Sequence, residues 1–552
     1  MQNVINVHRA HYHVTPLKVL GLPSREITEQ VRSGNVTICV VGLGYVGLPL
    51  ATLFALEGAK VIGCDKRGEV VRSVTSGKSP LQEHDVSSIL KRGAEMLTIN
   101  CPNCGVKLMR YSGQDFCPAC GRRAEVGDGK ARLLVEVSSV YSELSSHRAS
   151  ISEALRSAVE SGRLRATTDT VEAVRESDVV MVCVGTPLGG DFRPNYDDLM
   201  GACSEIGRGL ERGDLVILKS TVSPGTTEKI VGPALERESG LRLGGDFGLA
   251  NSPERIKEGY ALFEFRTVPR NVAGVDAASG EAAAAVFRVF PAEVYIFESP
   301  SVTEAAKLFE NVYRDVNIAL ANELALICEH LQLDVMRVIE AARTDPKTNL
   351  LLPGPGVGGY CLPKDPYYLV SPARDAGFEP RLIISSRSVN DSMPSHVLEL
   401  VKDACEEMGL KIDGRVVAVL GLAFKGNSSD LRNTPMKAVV KGLVEMGAKV
   451  RAQDPYVDFE EARKLFAEPD VTFTRDVLEC IKGASFLVVG ADHLDYRKLS
   501  PSEISKAMSR PAAVVDARRM FDPDSMAEEG LIYRGVGYGI GRRRNRNFYT
   551  VR

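Results

Sequence analysis

From Val36 onward the chain alternates short apolar runs with longer amphipathic stretches. VTICVVGLGYVGLPLATLFALEGAKVIGCDK starts as an apolar strand, passes a glycine turn, and continues as a helix-length stretch to Gly58, a second strand and Asp65. Further strands are predicted at SDVVMVCVGTP, GDLVILKST and FGLANSPE, beginning at Ser177, Gly213 and Phe247. Strands alternating with helices predict a mainly parallel sheet. Over about 302–408 the period becomes helical, and TEAAKLFENVYRDVNIALANELALICEHLQL keeps it well past the length of an ordinary helix. Such a helix suits a domain-connecting spine or a dimer interface. From Gly414 a second α/β series follows, RVVAVLGLAFK, AKVRAQDP, SFLVVGADH and AAVVDARRMF.

The fold expected is therefore α/β, with two Rossmann-like domains joined by a long central helix. Residues 1–33 show no clear period and read as a loosely attached extension. Residues 34–91 and 150–250 form the first α/β domain, and 92–149 break its rhythm as an insertion. Residues 251–408 make a central helical domain, and 409–552 the second α/β domain. At 552 residues the chain is long enough for about three such units.

Composition adds bounds. Apolar residues make up 44% and charged residues 25%, the proportions of a globular protein with a large core. A formal charge of -3 gives no global attraction to nucleic acid, and the basic run GRRRNRNF from Gly541 reads as a solvated tail. No apolar run reaches the roughly 20 residues that span a bilayer, and MQNVINVHRAHYHV lacks the apolar core of a signal peptide. A cytoplasmic protein without membrane partners is expected, with its 12 cysteines as thiols or metal ligands.

Four of those cysteines stand in CPNCGVKLMRYSGQDFCPACG as two Cys-x-x-Cys pairs, Cys101/Cys104 and Cys117/Cys120, each followed by glycine. This is the spacing of a zinc ribbon over 101–121, in which four thiolates close the coordination of one structural Zn²⁺ and leave no open position for catalysis. Dithiol redox chemistry is the competing reading of each Cys-Pro-x-Cys alone.

The glycine turn is Gly42-x-Gly44-x-x-Gly47. It follows a strand, opens a helix, and has an acid, Asp65, at the end of the next strand. Gly42 makes the tight turn, Gly44 lets backbone approach a pyrophosphate, and Gly47 lets helix and strand pack closely. Asp65 accepts the ribose 2′-OH and repels a 2′-phosphate, which favours NAD over NADP. In LLPGPGVGGYCLPKDP, Cys361 follows a glycine-rich loop close to Lys364 and Asp365, a setting for a thiolate nucleophile. A thiol beside an NAD site suggests oxidation of an alcohol to an aldehyde, a thiohemiacetal, a thioester and finally an acid. Lys307 and Asn311, and likewise Glu254 and Glu258, stand four apart and share helix faces, which spacing alone could equally make solvated.

GLGYVGLPLA, KSTVSPGTT, SPERIKEG, the helix with Lys307 and Asn311, GVGGYCLPKD, LGLAFKGNSSDLRNTP and DARRMF resemble, in that order, the nucleotide-sugar 6-dehydrogenases that act on UDP-glucose, UDP-N-acetylhexosamines and GDP-mannose. The resemblance spans about 36–91 and 150–540. It implies that Cys361 forms the thiohemiacetal and thioester, and that Lys307 with Asn311 stabilises oxyanions. It gives Asp365 and Thr221 the hydrolytic water, Glu254 the general-base role, and Glu258 a place near substrate and cofactor. Cofactor contacts fall to Gly42, Gly44, Tyr45, Val46, Gly47, Asp65 and Thr186, with Arg432 reaching the cofactor from the last domain. Substrate contacts fall to Lys425, Gly358 and Gly359. A homodimer through the central helix is implied, with the last domain holding the UDP-sugar.

ENVYRDVNIALANELALICE resembles the UDP-N-acetylhexosamine branch (ManNAc or GlcNAc), although that branch often has histidine where Tyr360 stands; UDP-glucose is the alternative. The cysteine pairs have no counterpart in the family, and the insertion could recruit a protein partner. A different class, a zinc-ribbon binding protein on a retired dehydrogenase scaffold, is disfavoured because Cys361, Lys307, Asn311, Asp365 and the three glycines are all kept.

Overall fold

A computed structural model of the chain describes residues 18–79, 95–100, 107–111, 114–116, 122–127, 130–137, 151–256, 261–345 and 347–540. The chain divides into two compact units, one within 1–85 and 149–307, the other within 86–148 and 308–552.

The first unit is built on an eight-stranded sheet. Its strands lie in the order Val294–Ile296, Arg270–Gly274, Gly248–Asn251, Leu215–Leu218, Val179–Val182, Thr37–Val41, Lys60–Cys64 and Leu164–Thr167. Chain order runs outward from Thr37–Val41 in both directions, so a topological switch point falls between it and Val179–Val182. In open α/β sheets that is where ligands bind, beyond the carboxyl ends of the strands. Pairing is parallel throughout except between Gly248–Asn251 and Arg270–Gly274. The strands at the centre are buried on both faces, as their unbroken apolar sequence requires.

Two expectations are corrected here. Over the described part, 18–33, the supposed loose extension is held fast. Helix Ser24–Ser33 buries Ile27 and Val31, and Thr28 donates its hydroxyl to Ala285 O at 2.8 Å. The first domain also does not stop at residue 250, because Arg270–Gly274 and Val294–Ile296 extend its sheet, which places the central helices after it.

In the second unit a six-stranded sheet, all parallel, runs Val471–Phe473, Lys449–Gln453, Val416–Leu420, Phe486–Val489, Ala513–Asp516, Ile532–Gly535. The same centre-outward order as in the first sheet is visible. After the central strand Gly421 takes φ +89°, and the Leu422 and Ala423 N–H groups donate to Asp454 Oδ2 at 2.8 and 3.1 Å. His493 and Asp454, both fully buried, lie 3.0 Å apart, and His493 Nδ1 accepts the Asn427 N–H. Burial works to raise the Asp454 carboxyl, but His493 and the backbone N–H groups hold it below the usual carboxylate range.

The helical part of this unit contains Arg381–Met408, packed alongside the helix Pro300–His330. Asp315 and Arg387 pair at 2.6 Å with both side chains buried, and Asn390 Nδ2 donates to the same Asp315 oxygen at 2.9 Å. Asn322 donates to Asn390 and accepts the Gly354 N–H at 2.9 Å, which ties the network to the glycine-rich loop.

The insertion contributes a third sheet, a five-stranded antiparallel meander of Glu95–Asn100, Lys107–Tyr111, Gln114–Phe116, Arg122–Gly127 and Lys130–Val137. Cys101, Cys104, Cys117 and Cys120 lie outside the described residues.

Candidate active site

In the first unit the apolar strand Thr37–Val41 delivers Gly42 at φ +95°, where a Cβ would meet Cys183 O at 2.8 Å. The next N–H, that of Leu43, donates to Asp65 Oδ2 at 3.0 Å. Around a Cβ placed on Gly44 there is nothing within 4 Å, so the backbone there is free to take a pyrophosphate. At Gly47, the first residue of helix Gly47–Leu56, a Cβ would stand 1.8 Å from Gly42 O. Turn, open backbone and tight helix start fit a dinucleotide, whose phosphates would lie at the backbone around Tyr45 and Val46. Asp65 Oδ1 accepts from Arg67 N–H and Nε at 3.0 and 3.2 Å. Burial tends to raise the Asp65 carboxyl, but Arg67 and the Leu43 N–H hold it below the usual range, as an anion facing the ribose site.

Three neighbouring strands then bring side chains to the same end of the sheet. Thr186, after Val179–Val182, donates its hydroxyl to Thr221 O at 2.7 Å, which ties two of the expected site residues together. Glu254, after Gly248–Asn251, accepts the Arg255 and Ile256 N–H groups on Oε1 and faces Lys219 Nζ at 3.1 Å with Oε2. Lys219 is absent from the sequence-derived set. It follows the fully buried Leu215–Leu218 strand and is itself buried, a place where only a partnered charge is tolerated. Glu258 lies outside the described residues.

Lys307 is buried one turn before Asn311 on helix Pro300–His330. Asn311 Nδ2 donates to Asp365 Oδ2 at 2.6 Å, while Asp365 Oδ1 faces Lys364 Nζ at 3.2 Å. Cys361 is exposed, and its carbonyl accepts the N–H groups of Lys364 and Asp365 at 3.0 and 2.7 Å as helix Asp365–Asp375 begins. Cys361 thus stands in the turn that leads into this helix. Lys364 lies between the rings of Tyr360 and Tyr368, 4.8 and 4.4 Å from their centroids.

The glycines before Cys361 are required by close packing. A Cβ on Gly358 would stand 2.4 Å from Phe424 Cβ, and one on Gly359 (φ +88°) 2.9 Å from the Phe424 ring. The room where their side chains would stand is filled by Phe424. Gly359 N–H also donates to Arg432 O, and Asn433 Nδ2 donates to Gly359 O. Lys425 follows Phe424, with Nζ 5.4 Å from its ring. Arg432 is held in a two-pronged pair by Asp430, at 2.9 and 2.7 Å, and lies 5.7 Å from the Tyr360 centroid.

Glu304, one turn before Lys307, supports the Thr221 loop. It accepts Gly225 N–H, Thr227 N–H and the Thr227 hydroxyl at 2.5, 2.8 and 2.6 Å. Burial pushes its carboxyl up to about 7 from an ordinary 4.5, against the pull of those bonds. The folded state therefore holds a proton that the unfolded chain has released between these values. The resulting stabilisation is complete below 4.5 and is lost as pH rises through about 7. Thermal melts should show the wild type losing stability relative to Glu304→Gln between about pH 5 and 8. A difference that does not change with pH would refute this.

A first half shaped for a dinucleotide, an exposed cysteine on a glycine loop, and a second parallel sheet without an open glycine turn point to an NAD-dependent dehydrogenase. The UDP-glucose/GDP-mannose dehydrogenase family matches in three parts: its NAD binding domain at 36–102 and 141–291, its central domain at 301–392, and its UDP binding domain at 418–523. The chain is 33% identical over 504 residues to the UDP-N-acetyl-D-mannosamine dehydrogenase of Pyrococcus horikoshii, covering 91% of this chain and 99% of that protein. It is 35% identical over 341 residues to the UDP-N-acetyl-D-glucosamine 6-dehydrogenase of Salmonella typhi, covering 61% of this chain and 78% of that one. Among solved structures, the P. horikoshii UDP-D-ManNAc dehydrogenase aligns with a TM-score of 0.72 at 31% identity, covering 91% of this chain and 99% of that one. A UDP-glucose dehydrogenase from Pyrobaculum islandicum aligns at 0.70 and 28%, covering 91% and 98%. The chain belongs to the UDP-glucose/GDP-mannose dehydrogenase family and is a nucleotide-sugar dehydrogenase. Within the interruption of the NAD-domain match, and just before it, residues 85–121 match a separate model, Sjogren's syndrome/scleroderma autoantigen 1 (Autoantigen p27).

Proposed function

We propose that this enzyme oxidises the C6 hydroxyl of a UDP-N-acetylhexosamine to a carboxylate through a thioester on Cys361. The observation that carries the mechanism is the exposed Cys361 in the turn that leads into a helix, one turn from an Asp365 already anchored by Asn311. NAD, when bound, accepts one hydride in each of two oxidations. Between them the Cys361 sulfur adds to the aldehyde carbon, forming a C–S bond and an oxyanion that Lys307 and Asn311 stabilise. After the second oxidation, water held by Asp365 and Thr221 attacks the thioester carbon. Glu254 takes a proton from that water, the C–S bond breaks, and the thiolate is regenerated. Lys425 and the loop around Gly358 and Gly359 hold the nucleotide sugar, and Arg432 serves the cofactor side.

The N-acetylhexosamine is favoured by the names of the P. horikoshii and S. typhi relatives; UDP-glucose is the competing substrate. A panel of UDP-ManNAc, UDP-GlcNAc and UDP-glucose should give two NADH per sugar, with highest kcat/KM on an N-acetylated sugar. Preference for UDP-glucose would reverse the choice.

We also assign the active form to a homodimer and one structural Zn²⁺ per chain to Cys101, Cys104, Cys117 and Cys120. For the dimer, Phe309, Tyr313, Leu320 and Ile327 make an exposed apolar stripe at helical spacing along Pro300–His330. For the zinc, the paired Cys-x-x-Cys spacing is the support. Native mass spectrometry should therefore find two chains carrying two zinc ions; a zinc-free or monomeric active enzyme would remove the corresponding assignment. Among the described residues no helix is long and apolar enough to cross a membrane.

A further inference from the structure

Three adjacent parallel strands, Val179–Val182, Leu215–Leu218 and Gly248–Asn251, end beside one another, and the chain beyond them carries Cys183, Lys219 and Glu254. Lys219 is only 2% exposed. Its ammonium is 3.1 Å from Glu254 Oε2 and 5.0 Å from the Phe287 ring centroid. The other carboxylate oxygen, Oε1, accepts two backbone N–H groups at 2.8 and 3.1 Å. Glu254 is thus hydrogen-bonded at Oε1 by its own backbone, while Oε2, buried and without a hydrogen bond, faces the Lys219 ammonium as an ion pair that sets its direction.

The surroundings make Lys219 an expensive choice for packing alone. Burial pulls its ammonium below the ordinary lysine range, with Glu254 acting against that. Nearby, Arg270 is also buried, against the rings of Phe265, Phe287 and Phe290, and desolvation lowers it to about 10. Cys183 is pushed up to about 12 by burial and so brings no negative charge. Arg255 turns away, donating to Pro269 O and Asn271 Oδ1. The Lys219 ammonium at 3.1 Å and the backbone N–H groups on Oε1 together fix the position of the Glu254 carboxylate.

We propose that Lys219 is a positioning residue for Glu254, orienting its carboxylate for the hydrolytic half of the reaction. This rests on the reading of Glu254 as the base that deprotonates the attacking water. In that step the water oxygen bonds to the thioester carbon and one water proton passes to Glu254. The C–S bond then breaks, and its electron pair leaves with the Cys361 sulfur. The acid product ionises and Glu254 returns its proton to solvent, with no change of oxidation state. Neither hydride transfer uses Glu254, so loss of Lys219 acts on deacylation alone.

The test compares Lys219→Gln, Lys219→Met and Glu254→Gln with the wild type by rapid mixing with NAD and the best UDP-sugar of the panel. Both Lys219 variants should keep the initial burst of two NADH per site while steady turnover falls by about 100-fold. Quenched enzyme should carry the acyl group on Cys361 by mass spectrometry. A merely structural lysine would lower burst and turnover together, or weaken NAD binding, and either result overturns the proposal. So does failure of both Lys219 variants to fold, which would assign Lys219 to the core. Acyl accumulation in Glu254→Gln but in neither Lys219 variant would defeat the Lys219 role and leave the base in place. Normal turnover of Glu254→Gln would instead defeat the base reading itself.

Discussion

Replacing Cys361 by serine should lower uronic-acid formation by about three orders of magnitude or more, the usual consequence of removing a nucleophile. A serine hydroxyl is a much weaker nucleophile than a cysteine thiol at neutral pH. The side chain is exposed and the backbone at 361 is fixed by two N–H groups, so the substitution changes reactivity and leaves the loop intact. Oxidation of the alcohol to the aldehyde needs no sulfur. The variant is therefore expected to bind substrate with little change in affinity and to release or retain aldehyde, while the second NADH disappears. Acid production by Cys361→Ser at the normal rate would end the thioester mechanism.

The second large effect concerns stability. Arg387→Ala should cost about 3–5 kcal/mol, because it leaves Asp315 charged, buried and without its cation. Asp315 is 1% and Arg387 3% exposed, so water cannot replace the lost partner. Burial already raises the Asp315 carboxyl, and Arg387 is the main force opposing this. Arg387 also reaches Asp391, which is exposed and can be resolvated at little cost. Urea unfolding would read the loss directly. The double variant Asp315→Leu/Arg387→Leu should recover much of it, since apolar groups of similar size can replace a buried pair. A single variant within about 0.5 kcal/mol of wild type would mean the network is not holding the two helices.

The alternating strands and helices were legible because each parallel strand is a short unbroken apolar run, and the glycine turn because its three positions have separate steric duties. Gly47 shows this, since no other residue fits beside Gly42 O. Cys361 and the Lys307/Asn311 pair could be named from motifs in order, but the Asn311–Asp365 bond joins residues 54 apart and needed coordinates. The edge of the first sheet was illegible for a physical reason: Val294–Ile296 is three residues long and largely exposed, so it carries no core pattern. Helix Ser24–Ser33 buries only Ile27 and Val31, too sparse a stripe to register as a period. Lys219 was hidden because a charged residue after a strand normally marks the surface, and only its burial beside Glu254 reverses that meaning.

The two sheets repeat one turn: Gly42 passes Leu43 N–H to Asp65, and Gly421 passes Leu422 N–H to Asp454. They differ at the third position and in the partner of the acid. Gly44 is open where Ala423 is buried, and Asp454 is held by the buried His493 where Asp65 is paired with the half-exposed Arg67. In the second sheet the acid at the end of the neighbouring strand is thereby spent on architecture: bound by two backbone N–H groups and a buried imidazole, it works as a bolt across the sheet and offers no face to a ribose.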